Sequence, residues 1–495
     1  MALKFFALKI CTLAALTLPQ LACSSNYPES PEPVLLSNAD TQFKHWNGIG
    51  KIFVDDAGYC TASLLDTRGA TNTTRGPAYI LTNGHCASII SGSAANTAYK
   101  GQMQFNYFHD TLVDGKRYEI NKVNWASLAS TDVAIMELHT SLDTLLKDGI
   151  TPLKLASAAP TRPGRVHVIG APEIAPGLRL SSCTQEPAKT TLVKYLTVHT
   201  NYQKQDCKGI APGSSGSPVL DAASGEITGV LSGTTYGISP DDLCFWHALC
   251  ADTKTKSLLP DQASHSFPVD YLSYCFSGGR FDMDAAFCTL KPNFYYSSSK
   301  DTDVQLYKKP INSSDPTPVW DIDFTMSTPF YRSKTVRDAQ ACYSSERFSG
   351  TKSTADGKVD EPIGRETGLY YLCLLGVESA NQRPSTGLQR NTQIYPARIV
   401  EPAVDKLPEP TFITEPLDDL ILITFREKQD RSIWTQFYAG PIGETNCADI
   451  DPKSYEKVEN AIAMFLDDLP RTMCSFTMDR NLSTSGVRTD VIQRP

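Results

Sequence analysis

Cys207-Lys208-Gly209-Ile210-Ala211-Pro212-Gly213-Ser214-Ser215-Gly216-Ser217-Pro218, running into the apolar Val219-Leu220, is the stretch on which the reading of this chain turns. A serine set between glycines, closed by a proline and leading into a strand, has the form of a nucleophile loop. Glycine lets the backbone turn sharply and lets amide N–H groups face a reacting carbonyl with no Cβ in the way. Taken alone, the same residues suit a Gly/Ser-rich surface turn better. Two upstream segments decide against that. In Ala78-Tyr79-Ile80-Leu81-Thr82-Asn83-Gly84-His85-Cys86 an apolar strand runs into a short polar turn carrying a histidine beside a cysteine. In Ser130-Thr131-Asp132-Val133-Ala134-Ile135-Met136-Glu137-Leu138 a lone acid precedes an alternating strand. A serine hydroxyl needs a base to take its proton at neutral pH, and imidazole titrates in that range.

The order His85, Asp132, Ser215 is that of a chymotrypsin-type triad, and the region resembles the trypsin/chymotrypsin superfamily. Thr-Asn-Gly-His-Cys is similar to its Thr-Ala-Ala-His-Cys block, and Thr-Asp-Val-Ala-Ile-Met-Glu-Leu to its Asn-Asp-Ile-Ala-Leu-Leu-Lys-Leu block. Gly-Ser-Ser-Gly-Ser-Pro stands where Gly-Asp-Ser-Gly-Gly-Pro is usual. The resemblance covers residues 45–290. It implies two six-stranded antiparallel barrels with the triad in the cleft between them. His85 would then be the base, Asp132 its orienting partner and Ser215 the nucleophile. The N–H groups of Gly213 and Ser215 would form the oxyanion hole, and Ser232, Gly233 and Thr234 the strand edge that pairs with substrate backbone. It also implies a Cys60–Cys86 disulfide bracing the histidine turn. An α/β-hydrolase elbow, Gly-x-Ser-x-Gly, would need glycine at Ser217.

The departures are informative. Ser214 stands where trypsin-like zymogens carry the aspartate that pairs with a newly cut N-terminus, and no Arg-Ile-Val-Gly-Gly-like block precedes the first barrel. That switch is therefore expected to be absent, and the loop wording is closer to bacterial lysyl and glutamyl endopeptidases. Something else must hold the oxyanion loop, and a disulfide through Cys207 is the candidate. Specificity is poorly encoded. Gly209 occupies the position that is acidic in trypsin, and Leu231 one where some glutamyl enzymes place histidine. Asp241 and Asp242 lie on a loop from which they could reach a basic side chain, though a solvated turn accounts for them as well.

At 495 residues the chain is long enough for two to four domains. With 41% hydrophobic and 20% charged residues it is ordinary globular sequence, and a net charge of −8 argues against nucleic acid as a partner. Residues 1–22 read as an export signal. Leu21-Ala22-Cys23 resembles part of a bacterial lipoprotein box, with Gln20 departing from it. The alternatives are lipidation of Cys23 and simple cleavage nearby. Of 14 cysteines, setting aside Cys11 and Cys23 leaves 12, an even number that reads as a disulfide framework in an exported chain. Nearest-neighbour pairing gives Cys183–Cys207, Cys244–Cys250, Cys275–Cys288, Cys342–Cys373 and Cys447–Cys474. No Cys/His cluster has convincing zinc spacing, and no metal or cofactor is expected.

The expected organisation is a tether over 23–44, the protease-like domain over 45–290 and a linker over 291–318. Two small β modules of immunoglobulin or fibronectin type follow, 319–403 and 404–495, with one mixed domain as the alternative. Short alternating runs are expected to be strands: Gln102–Phe108, Tyr118–Val123, Val133–Leu138, Arg165–Ile169, Thr190–His199, Val219-Leu220 and Ile227–Leu231. A helix is expected over Ser454–Leu469. The fold class is all-β, a double antiparallel barrel followed by one or two small β-sandwich modules. The function expected is that of an exported serine endopeptidase acting on protein or peptide through an acyl-enzyme, secreted or held by lipid at the bacterial outer membrane. Its C-terminal modules would bind a surface or a protein. The alternative is a catalytically silent, protease-like adhesion protein. A secreted eukaryotic protease is a third reading, resting on the sequons Asn72-Thr73-Thr74, Asn312-Ser313-Ser314 and Asn481-Leu482-Ser483.

Overall fold

Many strands of the first half are apolar on both faces, because each face has its own core to fill. The computed structural model describes residues 30–495, apart from 70–71, 89–91, 114, 189–190, 195–196, 236–249, 253–262, 292–293, 299–304, 402–406, 427–432, 459–460 and 480. In its first barrel run β1 (Ile49–Val54), β2 (Ala57–Leu64), β3 (Pro77–Thr82), β4 (Gln102–Phe105), β5 (Arg117–Ser127) and β6 (Val133–Ser141). They pair antiparallel in the ring β5-β4-β1-β2-β3-β6, which closes where β6 meets β5. The second barrel holds β7 (Gly164–Gly170), β8 (Arg179–Pro187), β9 (Gln203–Gln205), β10 (Pro218–Asp221), β11 (Ile227–Thr234) and β12 (Ser264–Pro268). Its ring is β11-β10-β7-β8-β9-β12, closed by β12 on β11. Numbered within each barrel, the two rings have the same order. This is the chymotrypsin-type double barrel.

Successive side chains of a strand point to opposite faces. On β3, Ala78 and Ile80 fill the first barrel, while Tyr79 and Leu81 face a second core shared by both barrels. On β6, Ala134, Met136 and Leu138 point into the barrel, and Val133 and Ile135 into the shared core. The second barrel repeats this: Val168, Val219 and Leu231 line its interior, while Ile169, Leu220 and Val230 meet the first barrel's residues. Burial on both sides is why these strands read as nearly continuous apolar runs.

Four expectations need correction. The stretch 23–44 is not a free tether along its described length. Val34–Leu35 pairs antiparallel with Arg179–Leu180, and Leu36 is 1% exposed in the shared core. The Ser-, Pro- and Glu-rich residues ahead of that short apolar stretch hid it. The linker 291–318 contains strands. Tyr296–Ser298 pairs with Ile322–Met326, and Gln305–Lys308 runs parallel to Ala397–Val400. Phe294 and Tyr296 are buried in the core of the following module. No helix spans Ser454–Leu469: Ala461–Phe465 is a strand on Leu420–Phe425, with Ile462 and Met464 buried between exposed neighbours. Within the expected strand over 190–199, Thr191–Lys194 pairs antiparallel with Thr197–His199, in a sheet apart from the barrel.

Each C-terminal module is a pair of sheets. The first packs a three-stranded sheet on a five-stranded one around Trp320, Tyr331 and Leu372, and the second packs three strands on four around Ile423 and Met473. The first module is joined to the barrels. Ser130 Oγ donates to the Arg390 carbonyl, Ser93 Oγ donates to the Phe294 carbonyl, and the Arg390 guanidinium lies over the Tyr271 ring. Five disulfides lie among the described residues: Cys60–Cys86, Cys183–Cys207, Cys275–Cys288, Cys342–Cys373 and Cys447–Cys474. Cys23 and Cys244 lie outside the described residues, and with Cys244 the expected Cys244–Cys250 pair.

Leu36→Ala should lower the unfolding free energy of the two-barrel unit by about 2–5 kcal/mol, read by urea titration of the buried Trp125 fluorescence. A loss below about 0.5 kcal/mol would mean that the segment merely rests on the surface.

Candidate active site

His85 opens a single 3-10 turn, His85–Ala87, at the end of β3. Gly84 permits this turn, since a Cβ there would lie 2.3 Å from the Ser127 carbonyl oxygen. Cys86, next to the histidine, is tied to Cys60 on β2. The two sulfurs and a His85 ring nitrogen lie within 4.8 Å of one another, but sulfurs joined to each other are not metal ligands. The disulfide therefore backs directly onto the imidazole turn.

Asp132 follows β5 and is fully buried. His85 donates to it twice, from its backbone N–H to Oδ1 at 3.0 Å and from Nδ1 to Oδ2 at 2.8 Å. Ser232 Oγ, from the second barrel, donates to Oδ2 at 2.5 Å, and Asn83 Nδ2 donates to the Asp132 carbonyl at 2.7 Å. Every one of these groups donates, so the carboxylate acts purely as an acceptor and Nδ1 carries the ring proton. That leaves Nε2 as the basic nitrogen. The His85 side chain is 13% exposed, enough for Nε2 chemistry at a surface.

The Ser215 loop is pinned from both barrels. Thr61 N–H on β2 donates to the Ser215 carbonyl at 2.8 Å, and Gly216 N–H donates to the Leu231 carbonyl at 2.9 Å. Thr61 also accepts from Thr82 Oγ1, three residues before His85, and Leu231 adjoins Ser232, which holds Asp132. The loop backbone thus sits beside both partners. The Ser215 hydroxyl is half-buried, and no hydrogen bond reaches it from the described residues. Such bonds are often long before substrate arrives.

Gly213 has φ +85°, and a Cβ there would lie 2.5 Å from Lys51 Nζ. The preceding carbonyl, Pro212 O, accepts from Glu173 N–H at 2.8 Å, which turns the Gly213 N–H the opposite way across the trans peptide. Ser214 N–H donates to the Ala211 carbonyl, whereas the N–H groups of Gly213 and Ser215 have no backbone partner among the described residues. Backbone N–H groups beside a reacting carbonyl are what stabilises a developing oxyanion.

Ser232, expected with Gly233 and Thr234 on the strand edge that pairs with substrate backbone, turns its buried side chain inward to Asp132, which leaves its backbone role open. Gly233 and Thr234 pair with His265 and Ser264 on one side, while β10 stops pairing at Val230 on the other. Asp241 and Asp242 lie outside the described residues. Lys51, Thr61 and Asn83 also belong to the site, and none carries a signal in the sequence. A lysine alternating with Ile52 on a strand reads as a solvated position. Here it is 3% exposed, and burial pushes its pKa down to about 8, partly opposed by the nearby Glu173 carboxylate.

Residues 60–230 match the family model of the trypsin-like peptidase domain. Among curated proteins none matches the chain. Similar solved structures include kallikrein-related peptidase 10, at 13% identity over 46% of this chain and 92% of that one, TM-score 0.30. A thermostable serine protease from an extremophilic microorganism matches at 15% identity over 48% and 94%, TM-score 0.28. The protease Anisep from Arthrobacter nicotinovorans matches at 16% over 46% and 91%, TM-score 0.29.

The folded value of Lys51 lies below the ordinary lysine value, so between about pH 8 and 10.5 the unfolded chain keeps a proton that the folded chain has lost. This group alone makes stability rise with pH across that window. The melting temperature of Lys51→Met, relative to the parent, should therefore fall as pH is raised from below 8 to 10.5. A difference constant over that range would mean that the ammonium is solvated.

Proposed function

We propose that this protein, whose residues 60–230 match the family model of the trypsin-like peptidase domain, is an exported serine endopeptidase that cuts peptide bonds through an acyl-enzyme on Ser215. The observation that carries the reading is the buried Asp132 carboxylate gripping Nδ1 of His85 beside the Ser215 loop. In this reading Ser215 Oγ attacks the substrate carbonyl carbon while Nε2 of His85 takes its proton. Asp132 holds the tautomer and stabilises the imidazolium. The carbonyl oxygen becomes an oxyanion facing the N–H groups of Gly213 and Ser215. The C–N bond then breaks as Nε2 returns the proton to the leaving amine, and water repeats the sequence on the ester. Substrate backbone would lie along the open side of Gly233 and Thr234 as an added strand.

The five disulfides favour a compartment outside the cytoplasm. Export by the leader over 1–22, and either lipidation at Cys23 or release, belong to the proposal. The C-terminal modules would bind a surface or a protein partner. That no hydrogen bond from the described residues reaches the Ser215 hydroxyl favours a second reading, a silent protease-like binder.

A fluorophosphonate probe separates the two. Labelling of the full chain that disappears in a folded Ser215→Ala supports the enzyme, and no labelling of the folded parent supports the binder. Asp132→Asn should lower kcat by about 10⁴-fold with KM little changed, measured on a peptide ester. A loss under about tenfold would remove Asp132 from the chemistry.

A further inference from the structure

Lys51 has no place in the proton transfers above, yet it is buried where the two barrels meet. Lysine normally keeps its charged end in water. Here the ammonium makes no ion pair among the described residues. Its partners are two carbonyls of the second barrel, Ala171 O at 2.5 Å and Gly213 O at 3.4 Å. Its neighbour across β1 and β2, Thr61, serves the same two peptide units. Thr61 Oγ1 donates to Gly213 O at 2.9 Å and accepts from Ala171 N–H at 3.0 Å. Gly213 has no Cβ to resist rotation at its positive φ, so hydrogen bonds must hold its orientation. Pro212 O is fixed by Glu173 N–H, and Gly213 O by Thr61 and Lys51. Ser214, an uncharged residue, gives the loop no internal ion pair.

We propose that Lys51 is a positioning residue for the oxyanion-forming loop: its ammonium, inserted from the first barrel, holds the Gly213 and Ala171 carbonyls so that the Gly213 N–H stays turned toward the substrate. The proposal rests on the peptidase reading for its catalytic consequence, and on geometry alone for the brace. Lys51 does not touch the reacting atoms. Its charge lets two carbonyls converge on one point, where a neutral apolar side chain would leave both without that donor.

The test compares the full chain with Lys51→Met, close in length but unable to donate, and with Lys51→Arg, which keeps the charge. Hydrogen–deuterium exchange is followed over residues 209–217, and kcat and KM are measured on a peptide ester. In a Lys51→Met chain that still melts cooperatively, exchange over 209–217 should rise about tenfold. Its kcat should fall about 10- to 100-fold, with KM within about threefold of the parent. Lys51→Arg should recover part of kcat. If Lys51→Met does not fold, Lys51→Gln is read in the same way. Unchanged exchange over 209–217 in a folded variant overturns the brace. Loosened exchange with kcat unchanged overturns its catalytic role. Loosened exchange in a chain whose parent takes no fluorophosphonate overturns the peptidase reading and leaves the brace standing.

Discussion

The Asp132 carboxylate is shut off from water, and the groups that compensate it come from both barrels. His85 approaches from the end of β3 and Ser232 from β11. A buried carboxylate without such partners costs several kcal/mol. The acid therefore makes one barrel's position depend on the other's. Once both barrels have docked, the imidazole has its orientation and the Ser215 loop lies beside it. The site is in this sense a consequence of how the fold neutralises one charge.

The seam that brings these groups together is apolar on one side and polar on the other. Tyr79, Leu81, Val133 and Ile135 supply the first barrel's share of the common core, and Ile169, Leu220 and Val230 the second's. This burial is non-directional and sets the barrels in contact without fixing their angle. Direction comes from the hydrogen bonds that cross the cleft: Thr61 to Ser215 and Gly213, and Lys51 to Ala171. The Cys60–Cys86 and Cys183–Cys207 disulfides then brace the histidine turn and the base of the Ser215 loop from behind.

Segments outside the barrels extend the same logic. Residues near the chain start cross to the second barrel, where Leu36 N–H donates to the Leu178 carbonyl and Glu32 pairs with Lys208 at the foot of the Ser215 loop. The first C-terminal module reaches the loop that carries Asp132, through Ser130 and Arg390. Neighbours on both flanks thus buttress the loops that bear the chemistry, which suits groups needing sub-ångström placement.

By itself the sequence determined the features written in chain neighbours. These are the glycine-flanked Ser215, the His85-Cys86 turn, Asp132 ahead of its strand, and cysteine pairs separated by 13 to 31 residues. Such signals are local and need no knowledge of the partner strand. Only tertiary structure decided that Lys51 is buried against carbonyls, that Ser232 turns inward, that 34–36 docks, and that 461–465 is a strand. The reason is register. A side chain's face follows from period two, but what that face meets depends on which distant strand lies opposite and how the ring closes. No short window of sequence contains that information.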